Sequence, residues 1–402
     1  MNLALSPRRA ILMPGPWVRD ELWRRARAVP SLDLRFADSK SLIDVISGLS
    51  LITYTRAGSG TFAGSGGLVE TAGTNVPRFD HNPITGECLG LLVEEQKTNL
   101  LLQSRTLTAA AWVATSITPA KDQAGADGVG NSASSITATA ANGTILQTVT
   151  SASAARATSA YVKRITGTGV VEMTQNGGTT WDAIAVTSSW SRVSIPSATV
   201  TNPSVGFRIA TSGDAIAVDY VQCEIGTFVT SAIETTTAAV TRNVDVVSIT
   251  GTNFSGWYRQ DEGTVYVEAL TRQAHNGENK FPRKLTISDN TLNNAIEDYY
   301  RVLSPYTDAG YLIASAGIVQ ASFDSNDQRS GQRSAIGYAS NNFAYSVGGS
   351  ILNTDSSGTV PTVTHLILGA RPGSNNMLNG HIRRLTYWPQ RLSNPTLQTL
   401  TR

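Results

Sequence analysis

The side chains whose chemistry is easiest to name are aromatic residues set next to amides and charged groups. Trp181 and Asp182 follow Gln175-Asn176-Gly177-Gly178, which puts an indole beside a polar loop. Tyr161 and Trp190 stand in stretches with strand character. Arg371, Asn375 and Asn376 share one polar loop near the end of the chain, and Asn341 lies in another at Ser340–Asn342. An aromatic face stacks on the apolar face of a pyranose, while amides, carboxylates and guanidinium groups bond its hydroxyls. These positions are candidates for a saccharide surface. Each aromatic keeps core packing as its alternative, because large rings dominate cores.

Other chemistries have less to stand on. None of His81, His275, His365 and His381 has metal-ligand spacing with another, and neither Cys88 nor Cys223 lies near a histidine. His81 sits in an Arg-Phe-Asp-His-Asn-Pro turn and is expected to bond locally, while His365 and His381 read as half-buried strand positions. The two cysteines form no disulfide framework and read as independent thiols, as in a protein folded in a reducing cytoplasm. Cleaving a glycosidic bond needs two carboxylates about 5–9 Å apart. Asp80, Glu87, Asp182, Asp214, Asp219, Asp261, Glu262, Glu268, Glu297 and Asp298 are scattered, and no pair is nominated. Glu94 and Glu95 would point to opposite faces of a strand. No Gly-x-Ser-x-Gly, phosphate-binding loop or dinucleotide fingerprint is present. No catalytic residue, metal ligand or cofactor is assigned.

The elements that must position these residues are mostly strands. The chain has 402 residues, enough for two or three domains, and 87 of them are Ser or Thr. Charged residues make up 15 %, and the formal net charge is only +2, so nothing drives the whole chain toward nucleic acid or membrane. No apolar run approaches the ~20 residues of a membrane span. The start, MNLALSPRRAILMPGPW, lacks the apolar stretch of a signal peptide. Arginine outnumbers lysine 26 to 6, which suits interfaces but equally suits a GC-rich genome.

Residues 1–30 carry a net +4, leaving −2 for the rest. WVRDELWRRARA, Trp17 to Ala28, predicts a short helix with Pro16 near its first turn. Trp17, Trp23, Arg24, Arg25 and Arg27 are candidates for docking onto a larger assembly, with a frayed tail as the alternative. Residues 31–104 read as a small β-rich unit punctuated by glycines. Residues 105–240 show short strand signals every ten to fifteen residues, the pattern of an antiparallel sandwich. The embedded Trp112, Trp181 and Trp190 argue against a Ser/Thr-rich stalk. Residues 241–402 hold the clearest strand, Gly263–Ala269, with Val265, Val267 and Ala269 on one face. They also hold a Gly348-Gly349 hairpin turn and a final helix from Asn394, capped by Ser393.

Specific words carry a resemblance. VPRFDHNPITGECLGLLVEEQKTNLLLQS, Val76 to Ser104, together with Ala111-Trp112 and GHIRRLTYWPQRLSNPTLQTL, Gly380 to Leu400, resembles the head-spike and fibre proteins of phages and prophages. The family usually has Arg where this chain has Lys97. The ending, with Gly380, Ile382, Leu385, Tyr387, Trp388, Pro389, Leu392 and Ser393, is similar to the last strands of concanavalin A/laminin G-like domains. The middle unit is similar to carbohydrate-binding jelly rolls. The resemblance implies an all-β fold: tandem antiparallel β-sandwiches, jelly roll plus concanavalin A-like, behind a short N-terminal helical or extended arm. It also implies a virion surface protein assembled in the bacterial host cytoplasm, with capsid proteins and host polysaccharide as partners and a homo-oligomeric state. A polysaccharide depolymerase and a purely structural decoration or tail protein are the alternatives. Lectin-like sandwiches sometimes bind Ca2+, but no EF-hand spacing is visible.

Overall fold

A computed structural model describes residues 20–273, 281–303, 306–324, 332–374 and 376–402. Among these residues the chain is all-β: two antiparallel sandwiches with a few short helices. No helix of the described residues is long and apolar enough to cross a membrane.

Residues 105–240 form the first sandwich. One five-stranded sheet runs Ser191–Val200, Ala154–Thr166, Ala215–Ile225, Ala133–Ala138 and Ile117–Gln123. The other runs Asp182–Ile184, Val171–Thr174, Ser204–Ile209, Gly143–Thr148 and Val113–Thr115. The chain crosses from sheet to sheet at most connections, the jelly-roll pattern. Alternation explains the core: Ala160 and Val162 point inward from one sheet, and Met173, Phe207 and Ile209 from the other.

The second sandwich packs an eight-stranded sheet on a seven-stranded one. Val265, Val267 and Ala269 face its core, as the alternation of Gly263–Ala269 predicts. Gly348 and Gly349 make the hairpin turn with φ of 55° and 79°, a region that favours glycine. Ser393 caps the final helix, Asn394–Leu400, by accepting a hydrogen bond from the Thr396 amide.

Residues 31–104 are not a unit of their own. Leu32–Leu34 and Cys88–Val93 both pair with Gly380–Trp388, Phe79–His81 extends the same sheet, and Thr53–Thr55 pairs with Val246–Thr250 in the facing one. Leu32, Leu34, Phe36, Leu91 and Val93 are completely buried in this core. Each contributes about 1.5–3 kcal/mol of burial, more than a short free-standing unit would obtain from them. Gly90 permits the docking: a Cβ there would lie 2.2 Å from the Ile382 carbonyl oxygen.

The jelly roll therefore interrupts the second sandwich. The chain leaves through Lys97–Asn99 and returns through Val240–Arg242, and these two strands pair antiparallel. Asn99 ties the junction, donating to the carbonyls of Val221 (3.0 Å) and Ile233 (2.9 Å). Both cysteines are buried and free, and burial pushes the Cys223 thiol up to about 11.

The predicted N-terminal helix spans Glu21–Ala26, capped by Asp20. Trp17 lies outside the described residues.

Candidate functional site

The residues of the Arg-Phe-Asp…Val-Glu motif converge where the two sandwiches meet, and most of them are buried. Arg78 is fully buried and donates to Asp245 (2.5 Å), to Ser231 Oγ (2.8 Å) and to the Thr61 carbonyl (2.9 Å), and it pairs with Glu94 at 2.8 Å. Asp245 also accepts from Tyr54 (2.5 Å), Arg56 (3.2 Å) and the Glu94 amide (2.9 Å). Burial pushes the Glu94 carboxyl up, but Arg242, Arg78 and Arg272 outweigh it and hold the group well below the usual carboxylate range. Arg78, Asp245 and Glu94 form a structural hub rather than a site.

Next to the hub lies a cavity of about 250 Å3. Its jelly-roll wall carries Tyr161 and Arg192, direct cross-strand partners on the outer face of their sheet. The Arg192 guanidinium stands 5.7 Å from the Tyr161 ring centre and donates to Ser159 Oγ (3.0 Å). The opposite wall carries Phe62, Asp80, His81 and Arg272. Asp80 accepts from the Ala63 amide (2.6 Å), from His381 Nε2 (2.7 Å) and from Arg272. Burial alone would raise the Asp80 carboxyl. The His381 hydrogen bond and the Arg272 charge prevail and bring it down to about 2. Burial and Arg272 hold His381 below its ordinary value, so it is neutral and donates through Nε2.

Two polar atoms at this cavity are left over. His81 is 6 % exposed; its Nδ1 donates to the Ala63 carbonyl (3.1 Å), and its buried Nε2 has no partner. The buried Nε of Arg192 has none either. Buried polar atoms are nearly always satisfied, and these two unpaired atoms belong to residues that line the same cavity.

The other sequence candidates fall elsewhere. Trp181 lies beside the outer face of the opposite jelly-roll sheet, half-buried, with the Arg208 guanidinium 4.8 Å over its ring. Arg208 in turn bonds Glu172 (2.5 Å), and Asp182 opens the neighbouring short strand. The Gln175 and Asn176 amides are consumed by the fold: Gln175 accepts from Thr158 and donates to the Pro196 carbonyl, while Asn176 closes its own loop onto Thr174 and Thr180. Trp190 packs beside Tyr220 and Ala232, with Lys163 5.1 Å from its ring centre. Arg371 makes two 2.6 Å bonds to Glu297. With Asn376 it lines a separate cavity of about 350 Å3 in the second sandwich. Asn341 accepts from the Gly358 amide, and Asn375 lies outside the described residues. Among the described residues Tyr161 is thus the one sequence candidate at the junction cavity. Arg192, His81 and Asp80 were missed as a group because strand register and chain crossing, not spacing, bring them together.

The docking residues also divide. Trp23, expected at a docking surface, is instead buried and donates to Asp33 (2.9 Å), so it belongs to the fold. Arg24 and Arg25 pair with Glu21, and Arg25 also reaches the Thr399 and Arg402 carbonyls. With the exposed Arg27 they line a groove of about 550 Å3 against the final helix. Among the described residues no group of three or more His, Cys, Asp or Glu is placed to hold a metal ion.

No family model matches the chain, and no curated protein matches it in sequence. Among solved structures it is similar to the N-terminal CBM22-1-CBM22-2 tandem domain of Xyn10C from Paenibacillus barcinonensis, 11 % identical over 72 % of this chain and 96 % of that one, with a TM-score of 0.24. It is also similar to domains LG4-5 of the mouse laminin alpha1 chain, 9 % identical over 74 % of this chain and 88 % of that one, with a TM-score of 0.22.

Proposed function

We propose that this chain is a non-enzymatic, saccharide-binding surface protein of a phage or phage-like particle, attached through its basic N-terminal segment. The observation that carries the binding half is the junction cavity. An aromatic ring, two guanidinium groups and an unpartnered imidazole nitrogen converge on a space suited to one sugar ring. The carboxylates beside it, Asp80 and Glu94, are each held by arginine, an arrangement for binding rather than for proton transfer. One such contact is weak, and many copies on a particle, or several chains in an oligomeric fibre, would raise it by avidity. The particle half of the reading is supported by the motif resemblance at Val76–Ser104 and Gly380–Leu400.

The test uses particles with and without the protein, together with the purified full chain and host polysaccharide. Binding of the polysaccharide, with lost adsorption of particles lacking the protein, is the expected result. Shortened polysaccharide chains would replace binding by cleavage. Unchanged adsorption and no binding would leave only a structural decoration. Attachment is tested by removing residues 1–19, because Asp20 and Trp23 are needed by the fold. Particles that still carry the truncated chain would refute the anchor.

A further inference from the structure

We infer that the junction cavity selects an acidic sugar, of the uronic acid class, whose carboxylate pairs with Arg192 while a ring hydroxyl donates to His81. This deepens the saccharide-binding reading and rests on it. The argument starts from charge. Asp80 and Glu94 are matched by Arg272, Arg78, Arg242 and His381, all within the second sandwich. Arg192, on the jelly-roll wall, has no carboxylate partner among the described residues; its contacts are a serine hydroxyl and the Tyr161 ring. Its Nε–H is buried and unpaired. A guanidinium with Nε–H free presents its planar fork to an anion, and a carboxylate satisfies that fork with two parallel bonds.

His81 supplies the complementary demand. In the tautomer that commits Nδ1–H to the Ala63 carbonyl, Nε2 is an acceptor. It therefore calls for a donor, which a carboxylate is not and a sugar hydroxyl is. The two orphans together ask for one molecule bearing both a carboxylate and hydroxyls. Phe62, Val69, Leu89 and Tyr161 complete an apolar lining suited to the C–H face of a pyranose ring. At about 250 Å3 the space falls below the ~300–1,000 Å3 of drug-sized pockets, so it takes a single residue, at a chain end or as a side branch.

The test is calorimetric titration of the full chain with glucuronate, galacturonate and their neutral counterparts glucose and galactose. The parent chain should bind a uronate at least about tenfold more tightly than the matching neutral sugar, the worth of one charge-assisted pair. Arg192→Met should remove that preference while leaving the melting temperature unchanged, since Arg192 holds nothing but Ser159 and a ring face. Tyr161→Ala should weaken both sugar classes. Equal binding of neutral and acidic sugars, abolished by Tyr161→Ala, would overturn the acidic preference and keep the saccharide site. Polysaccharide binding that survives both variants but is lost in Trp181→Ala would move the site to the opposite sheet and overturn this inference. Absence of binding to any sugar or host polysaccharide would overturn both readings.

Discussion

Replacing Arg78 by methionine removes the cation that two buried carboxylates share. The guanidinium has no solvent exposure, and Glu94 and Asp245 are at most 1 % exposed. Without it, Glu94 keeps Arg242 and Arg272, each at 3.5 Å, and Asp245 keeps Arg56 at 3.2 Å, all longer than the bonds lost at 2.8 and 2.5 Å. The Thr61 carbonyl loses its Arg78 donor as well. Breaking one side of a buried ion pair costs about 3–5 kcal/mol, and an orphaned carbonyl adds about 1 kcal/mol. For 402 residues each kcal/mol corresponds to about 1.2 °C, so the melting temperature should fall by about 5–7 °C. The pairs lie beyond the reach of counter-ions, so the loss should persist in 1 M salt. Differential scanning calorimetry of the parent, Arg78→Met, Asp245→Asn and the double variant is the assay. The double variant removes one charge of each sign and should cost less than the sum of the singles. A melting temperature for Arg78→Met within about 1 °C of the parent, or a double variant worse than that sum, would refute the hub.

Two further outcomes are expected. Asp80 titrates at about 2 in the folded chain against 3.8 unfolded, so its contribution of about 2 kcal/mol is complete above pH 4 and is lost as pH falls toward 2. His381 is also held below its ordinary value, so the unfolded chain gains a proton first, and stability begins to fall below about pH 6.5. Calorimetric melting temperatures should decline in both windows, and His381→Gln should flatten the upper one; a flat profile from pH 7 to 3 would contradict the assignment. Trp23→Ala should lower stability by about 3 kcal/mol through the lost indole and its bond to Asp33, whereas the exposed Arg27→Ala should stay within about 0.5 kcal/mol in denaturant melts.

Strands were legible where apolar and polar residues alternate cleanly, whereas Ala133–Ala138 and Ala295–Leu303, which lack that alternation, were not read as strands. Val265, Val267 and Ala269 alternate as written, and the Ser393 cap and the Gly348-Gly349 turn follow from local chemistry. Pairing was not legible. Ser31–Phe36 and Gly90–Glu94 read as strands and overlap the observed Leu32–Leu34 and Cys88–Val93, but nothing in their own residues says that Gly380–Trp388 is the neighbour of both. The burial of Arg78 and Glu94 was not legible either, because the carboxylate that permits Arg78 to be buried, Asp245, lies far along the chain. The same non-locality hid the site: Asp80 meets His381, and Tyr161 meets Arg192, only through folding.

The paired strands Lys97–Asn99 and Val240–Arg242 also decide how the molecule carries load. A force that drew the jelly roll away from the second sandwich would draw both connecting strands in the same direction. The ladder between them is then not sheared. Such tension would pass to the residues just beyond the pair, Glu94 and Asp245: the Asp245 amide donates to the Glu94 carbonyl, the Glu94 amide donates to the Asp245 carboxylate, and Arg78 pairs with both side chains. The ionic hub thus stands at the root of the jelly roll, where it would share such a pull between the two chain segments.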